Sequence, residues 1–123
     1  MQTMNSPYII KLYETLEDKK YKYLILEYCN GGDLAATQAT FKDKVFDLDN
    51  AVEILADVIR GLEYLHNSGY IHRDLKLQNV LKSTKKNKSV YKLADFGFSK
   101  PQKDCGGTNL GTEQFKAPEI FKQ

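Results

Sequence analysis

The sequence predicts an α+β domain, and three patterns carry that reading. Two runs of aromatic and branched residues flank a polar turn near the N-terminus. A single apolar stripe at helical spacing fills residues 48–68. Short strand-like pieces then alternate with polar loops toward the C-terminus.

Taken in order, residues 11–17 and 21–28 read as extended segments. Tyr21-Lys22-Tyr23-Leu24-Ile25-Leu26 is rich in side chains that fit a pleated surface. Glu17-Asp18-Lys19-Lys20 between the two segments is a polar turn, so the pair predicts a β-hairpin. Asn30-Gly31-Gly32-Asp33 breaks the second strand, and Asp33 can cap a short helix running to about Thr40. In residues 48–68, Ala51, Leu55, Val58, Leu62 and Leu65 recur at steps of 4, 3, 4 and 3, which places them on one helix face. Asp47 or Asp49 can cap that helix, and Gly69 suits its C′ position. Gly61 inside it costs about 1 kcal/mol relative to alanine, so a close packing neighbour is expected there. Tyr70-Ile71, Val80-Leu81 and Tyr91-Lys92-Leu93 are the strand-like pieces. Residues 83–89 carry Lys85, Lys86 and Lys88 and read as a solvated hairpin tip. No aromatic residue interleaves these lysines, which argues against a nucleic-acid surface. Residues 100–114 are polar and glycine-containing and read as a long mobile loop.

At 123 residues the chain is at most one domain's worth, and 41% hydrophobic with 28% charged residues places it in the globular range. A net charge of +2 points to no polyanionic partner. No apolar run approaches the ~18 residues of a membrane span, and residues 1–7 lack the pattern of a secretory signal. Cys29 and Cys105 have no ligand-like spacing, so they read as reduced thiols of a cytoplasmic protein. Asn87-Lys88-Ser89 matches a glycosylation pattern by chance on this reading.

Chemistry concentrates in three motifs: His72-Arg73-Asp74-Leu75-Lys76-Leu77-Gln78-Asn79, then Asp95-Phe96-Gly97, then Ala117-Pro118-Glu119. Their order resembles the catalytic-loop, metal-loop and activation-segment signatures of protein kinases, a well-worked template of phosphoryl transfer. Each triplet alone is weak, and a lone Asp74 or Asp95 would read as an ordinary turn aspartate. Phosphoryl transfer needs cations on the phosphates, a carboxylate to orient the incoming hydroxyl and positive charge at the transferring group. The resemblance implies that Asp74 accepts the substrate hydroxyl proton and that Lys76 faces the γ-phosphate. It implies that Asn79 and Asp95 hold magnesium, and that Arg73 pairs with a phosphorylated activation-segment residue. Thr108 is the candidate acceptor, with Ser99 second. Thr112 resembles the threonine that steadies the catalytic aspartate, and Glu119 the glutamate that pairs with an arginine further along the family fold. Phe96 would set the state of the metal loop.

Leu26-Glu27-Tyr28-Cys29-Asn30-Gly31-Gly32-Asp33 resembles the hinge between kinase lobes, with Leu26 at the gatekeeper position. The Glu27 carbonyl and Cys29 amide would bond the adenine edge of ATP, Asp33 would reach the ribose, and Leu81 would floor the pocket. Lys76 resembles the serine/threonine branch, since tyrosine kinases usually carry alanine or arginine there. Leu77, Glu113 and Lys116 depart from the usual pattern, which bears on peptide specificity more than on chemistry.

The resemblance implies a partial kinase-like fold: residues 1–29 as the end of the N-lobe and hinge, and residues 30–123 as the first part of the C-lobe. The glycine-rich loop, its strand lysine, the αC glutamate and the later C-lobe helices are not in these 123 residues. The stripe of residues 48–68 is therefore expected to lack partners, and the polypeptide alone to be marginally stable and inactive. The expectation for the complete protein is a cytoplasmic serine/threonine kinase using ATP and magnesium on protein hydroxyls, with no nucleic-acid or membrane partner. The alternatives are a pseudokinase-like scaffold and a truncated gene product.

Overall fold

The computed structural model describes residues 4–104 and 111–122. β1 (Leu12–Glu17) and β2 (Lys22–Leu26) form the expected antiparallel hairpin, in register from Glu17 opposite Lys22 to Glu14 opposite Ile25 and then shifted by one residue so that Leu12 stands opposite Leu26. Asp18 closes its turn, its Oδ1 accepting the amides of Lys20 and Tyr21, both at 2.7 Å. The second strand stops at Leu26, short of the expected Tyr28. Beyond it the Glu27 amide still donates to the Lys11 carbonyl at 2.8 Å.

α1 (Leu34–Ala39) is capped by Asp33, whose Oδ1 accepts the Ala36 amide at 2.8 Å. α2 (Leu48–Asn67) is capped by Asp47, whose Oδ1 accepts the Asn50 amide at 2.9 Å. Gly69 follows α2 at φ +79, a conformation that favours glycine. The buried face of α2 keeps most of the expected stripe and departs from it at Leu55. Ile54, Gly61 and Leu65 are buried, with Val58 and Leu62 partly so, while Leu55 is 58% exposed. The helix carries a second apolar row, Leu48, Val52, Leu55 and Ile59, that faces outward. With apolar residues on two faces, spacing alone does not say which is covered.

Gly61 does have the close neighbour that its presence implied. A Cβ there would lie 2.8 Å from the Tyr8 carbonyl oxygen and 3.0 Å from Leu93 Cδ1. The helix thus sits against Leu93 and the segment at Tyr8.

β3 (Tyr70–Ile71) pairs antiparallel with β6 (Lys100–Pro101), so the span expected to be a loop from residue 100 begins as a strand. A 3-10 turn, Gln102–Asp104, follows it. β4 (Val80–Lys85) and β5 (Lys88–Leu93) form a second hairpin, in register from Val80 opposite Leu93 to Lys85 opposite Lys88. The strands run further than the sequence indicated. Only Lys86 and Asn87 form the tip, at φ 48 and 61, and Ser83 is buried. Two consecutive left-handed residues match the twist of a tight hairpin, but Lys-Asn is not the Asn-Gly signal that usually marks one.

The core gathers Ile9, Ile10, Leu34, Ile54, Leu65, Val80, Tyr91, Leu93, Ala94 and Phe96. Residues 8–10 run beside β5, with the Leu93 amide donating to the Tyr8 carbonyl at 2.9 Å and the Ile10 amide to the Leu93 carbonyl at 2.8 Å. Among the described residues no helix is long and apolar enough to cross a membrane.

Candidate active site

The site is built on the segment between β3 and β4 and on the end of β5. His72 is its organising side chain. The ring is buried, and its Nε2 lies 2.9 Å from the Ala94 carbonyl oxygen. A carbonyl only accepts, so Nε2 carries the proton. The unprotonated Nδ1 then accepts the Asp74 amide at 3.3 Å. Burial pushes the His72 pKa down, against the Ala94 hydrogen bond and the charges of Asp74 and Asp95, which pull it up. A neutral ring therefore joins the two aspartate-bearing segments from between them.

Arg73 adopts φ +67, a left-handed turn that directs the chain from His72 to Asp74. Its Nε donates to the Phe98 carbonyl at 2.6 Å. Asp74 is 4% exposed, and its carboxylate receives four donated bonds. Thr112 gives its amide and hydroxyl to Oδ1 at 2.8 and 2.6 Å. Lys76 Nζ lies 2.8 Å from Oδ2, and Asn79 Nδ2 donates to Oδ2 at 3.1 Å and to the Asp74 carbonyl at 2.8 Å. Lys76 also donates to the Thr112 hydroxyl at 2.9 Å. These bonds, led by those from Lys76 and Thr112, hold the Asp74 carboxyl well below the usual carboxylate range despite burial. Gly111 admits this approach. It sits at φ +100, and a Cβ on it would fall 2.5 Å from the Arg73 carbonyl oxygen.

Asn79 ends the 3-10 turn Leu77–Asn79 and accepts the Ala94 amide on its backbone carbonyl at 2.9 Å. That bond places Asp95 just beyond it. Asp95 is exposed at φ +55, and its Oδ1 accepts the Gly97 amide at 3.2 Å. Phe96 is buried, with its ring centroid 5.1 Å from that of His72. Asp74 also borders a largely apolar cleft of about 290 Å³, with Leu62, Leu75, Phe115, Ala117 and Ile120 in its wall. Asp95 does not line that cleft; the two carboxylates are linked through His72 and Asn79 instead. Among the described residues no three His, Cys, Asp or Glu side chains cluster as a metal site. The oxygen donors left for a cation are the Asp95 carboxylate and the Asn79 side-chain carbonyl, whose amide nitrogen is already committed to Asp74.

Ser99 is half-buried, its hydroxyl 3.5 Å from the His72 carbonyl oxygen. Glu119 is exposed in the 3-10 turn Pro118–Lys122 and forms no ion pair among the described residues. Thr108 and Cys105 lie outside the described residues.

At the other end of the hairpin, Leu26 is 42% exposed and Cys29 is half-buried, its thiol pushed up in pKa by burial and then by Glu27. Asp33 and Leu81 form an isolated antiparallel bridge, so both lie where the segment after β2 meets β4. Two features here escaped the sequence reading. The Glu27 side chain pairs with Lys92 at 2.8 Å, and the Asn30 side-chain amide bonds both the amide and the carbonyl of Thr84, at 2.8 and 3.1 Å. Neither leaves a local signature, because the partners stand 65 and 54 residues apart.

Comparison with known proteins agrees with this geometry. The family model for the protein kinase domain matches residues 1–123. The cGMP-dependent protein kinase egl-4 of Caenorhabditis briggsae is 40% identical across 98% of this chain. The cGMP-dependent protein kinase, isozyme 1, of Drosophila melanogaster is 37% identical across 98%. The calcium/calmodulin-dependent protein kinase type 1 of Macrobrachium nipponense is 33% identical across 100%. The chain spans 16%, 15% and 35% of the lengths of these relatives. With a mixed strand-and-helix fold, the three motifs in order and this match over its whole length, the chain belongs to the protein kinase domain family.

Proposed function

We propose that this chain supplies the catalytic and metal loops of a serine/threonine protein kinase, which moves the γ-phosphoryl of ATP to a protein hydroxyl. The observation that carries this reading is the Asp74 carboxylate, held ionised by Lys76, Thr112 and Asn79 and joined through His72 to the Asp95 segment. A scaffold has no need for a buried carboxylate with four donors, so the pseudokinase alternative explains less of the site.

The division of labour follows from the donors. Asp74 is too weak a base to remove a proton early. It orients the substrate hydroxyl and receives the proton late, when transfer to phosphorus is well advanced. All its lone-pair positions are occupied, so an incoming hydroxyl displaces one donor. Thr112 is the donor that can yield, because its hydroxyl rotates while its amide stays bonded. Lys76 keeps a positive charge between Asp74 and the place of the transferring group. Asn79 and Asp95 present the hard oxygen ligands that suit magnesium, which supplies charge neutralisation on the phosphates when bound. Glu27 and Cys29 offer backbone groups to adenine, and Asp33 and Leu81 complete that end. A hydroxyl-bearing protein segment is the second substrate, and a cytoplasmic setting belongs to the same reading.

Asp74→Asn in the complete protein tests it. Turnover is expected to fall by at least about 10²-fold, with ATP affinity changed by less than about threefold. Retained turnover would remove Asp74 from this role.

A further inference from the structure

We propose that Glu27 and Lys92 form a strut that fixes the hinge relative to the Asp95 loop, so that one nucleotide engages both ends at once. This rests on the nucleotide reading above and adds two positioning residues to it. Lys92 Nζ lies 2.8 Å from Glu27 Oε1 and 2.9 Å from Oε2. The two side chains are only 12% and 15% exposed. Solvent and salt therefore screen the pair far less than a surface ion pair, and losing either partner leaves a shielded charge alone.

Position gives the pair its meaning. Glu27 is the first residue after β2, and its backbone and side chain are both tied down. Its amide donates to the Lys11 carbonyl at 2.8 Å, while its Oε2 accepts the Lys11 amide at 3.3 Å. Lys92 stands on β5 three residues before Asp95. Between them Leu93 is held by Tyr8 and Ile10, and Ala94 by Asn79. No slack remains from the lysine to the metal loop.

The far side of the hinge is fastened to the same hairpin by independent bonds. Gly31 donates to the Lys82 carbonyl and Lys82 to the Gly32 carbonyl, both at 2.8 Å. Asn30 holds both backbone groups of Thr84 as a peptide unit would. Gly31 must be small for this, since a Cβ there would meet the Lys82 carbonyl oxygen at 2.8 Å. The β4 side of the hinge thus rests on backbone bonds. On the β5 side, which leads to Asp95, the direct side-chain link among the described residues is this ion pair, beside the backbone path from Glu27 through Lys11 and Ile10 to Leu93. That pair is where a single substitution can loosen the coupling of the two ends.

Adenosine and MgATP separate this coupling from plain stability. Adenosine meets only the hinge end, whereas MgATP meets the hinge and Asp95. Equilibrium binding of each to the complete protein should show Lys92→Met weakening MgATP by about tenfold, within the range found for coupled contacting pairs, and adenosine by less than about twofold. Lys92→Arg keeps the pair and should recover MgATP binding to within about threefold, as should the exchange Glu27→Lys/Lys92→Glu. Equal losses for both ligands, no loss for either, or failure of both restoring variants would overturn the strut. A wild-type protein that binds neither ligand would overturn the nucleotide reading and the strut with it, an outcome distinct from any behaviour of the variants.

Discussion

The β1–β2 hairpin and the region around His72 are both rich in large side chains, yet they treat them in opposite ways. Around His72 the interior is enclosed: Leu65 and Leu93 are fully buried, and Asp74 and Asn79 are buried and bonded to each other. In the hairpin, Tyr13, Leu16, Tyr23, Leu24, Ile25 and Leu26 are all more than 40% exposed. The outer row of α2 behaves like the hairpin. The contrast teaches that the loop carrying Asp74 rests on a core enclosed within these residues, while β1 and β2 leave their large side chains open. Each apolar side chain so left forgoes a part of what full burial contributes, about 1.5–3 kcal/mol.

Truncation should sharpen this contrast most. In the complete protein, Leu65→Ala removes a fully buried side chain and is expected to cost about 2–5 kcal/mol. Leu24→Ala, 55% exposed within these residues, should cost below about 0.5 kcal/mol if nothing covers it and over 1 kcal/mol if a partner does. Chemical denaturation of the two variants reads both values. Equal small losses would mean that the His72 core is not the stable region.

Gly61→Ala probes the same core from the other direction. Helix propensity favours alanine by about 1 kcal/mol, but its Cβ would meet backbone at 2.8 Å. Overpacking should win, with a net loss of about 1–3 kcal/mol. A stabilised variant would show that α2 can move away from residue 8 freely.

Acidification gives a smaller, signed effect. Burial depresses the His72 pKa, so the unfolded chain binds a proton that the folded state resists. Stability should therefore fall as pH drops below the ordinary histidine value of about 6.5. The Asp74 contribution is lost only on further descent, below the ordinary carboxylate value of about 3.9. Thermal unfolding between those two pH values should show the histidine slope, and His72→Gln should flatten it. An unchanged slope in that variant would assign the effect elsewhere.

Much of the site was legible because its parts sit close in sequence. The spacing of His72, Asp74, Lys76 and Asn79 is short enough for one loop to fix, and Asp33 and Asp47 cap as their neighbours dictate. What stayed hidden is long-range. Lys92 reads as any strand lysine until Glu27 is folded against it. His72 reads as a motif letter until Ala94 and the Asp74 amide take its two nitrogens. The covered face of α2 departs from the expected stripe at Leu55 for a related reason: Leu55 and Ile54 are equally apolar, and only the position of β5 chooses between them.

In the proposed function Asp74 and Asp95 serve one nucleotide in different roles, one at the hydroxyl and one at the metal. Titrating magnesium against ATP binding in the complete protein tests it most directly. ATP affinity should rise with magnesium in the wild type and in Asp74→Asn, and that rise should vanish in Asp95→Asn. An Asp95→Asn protein whose ATP affinity still follows magnesium like the wild type would contradict the account.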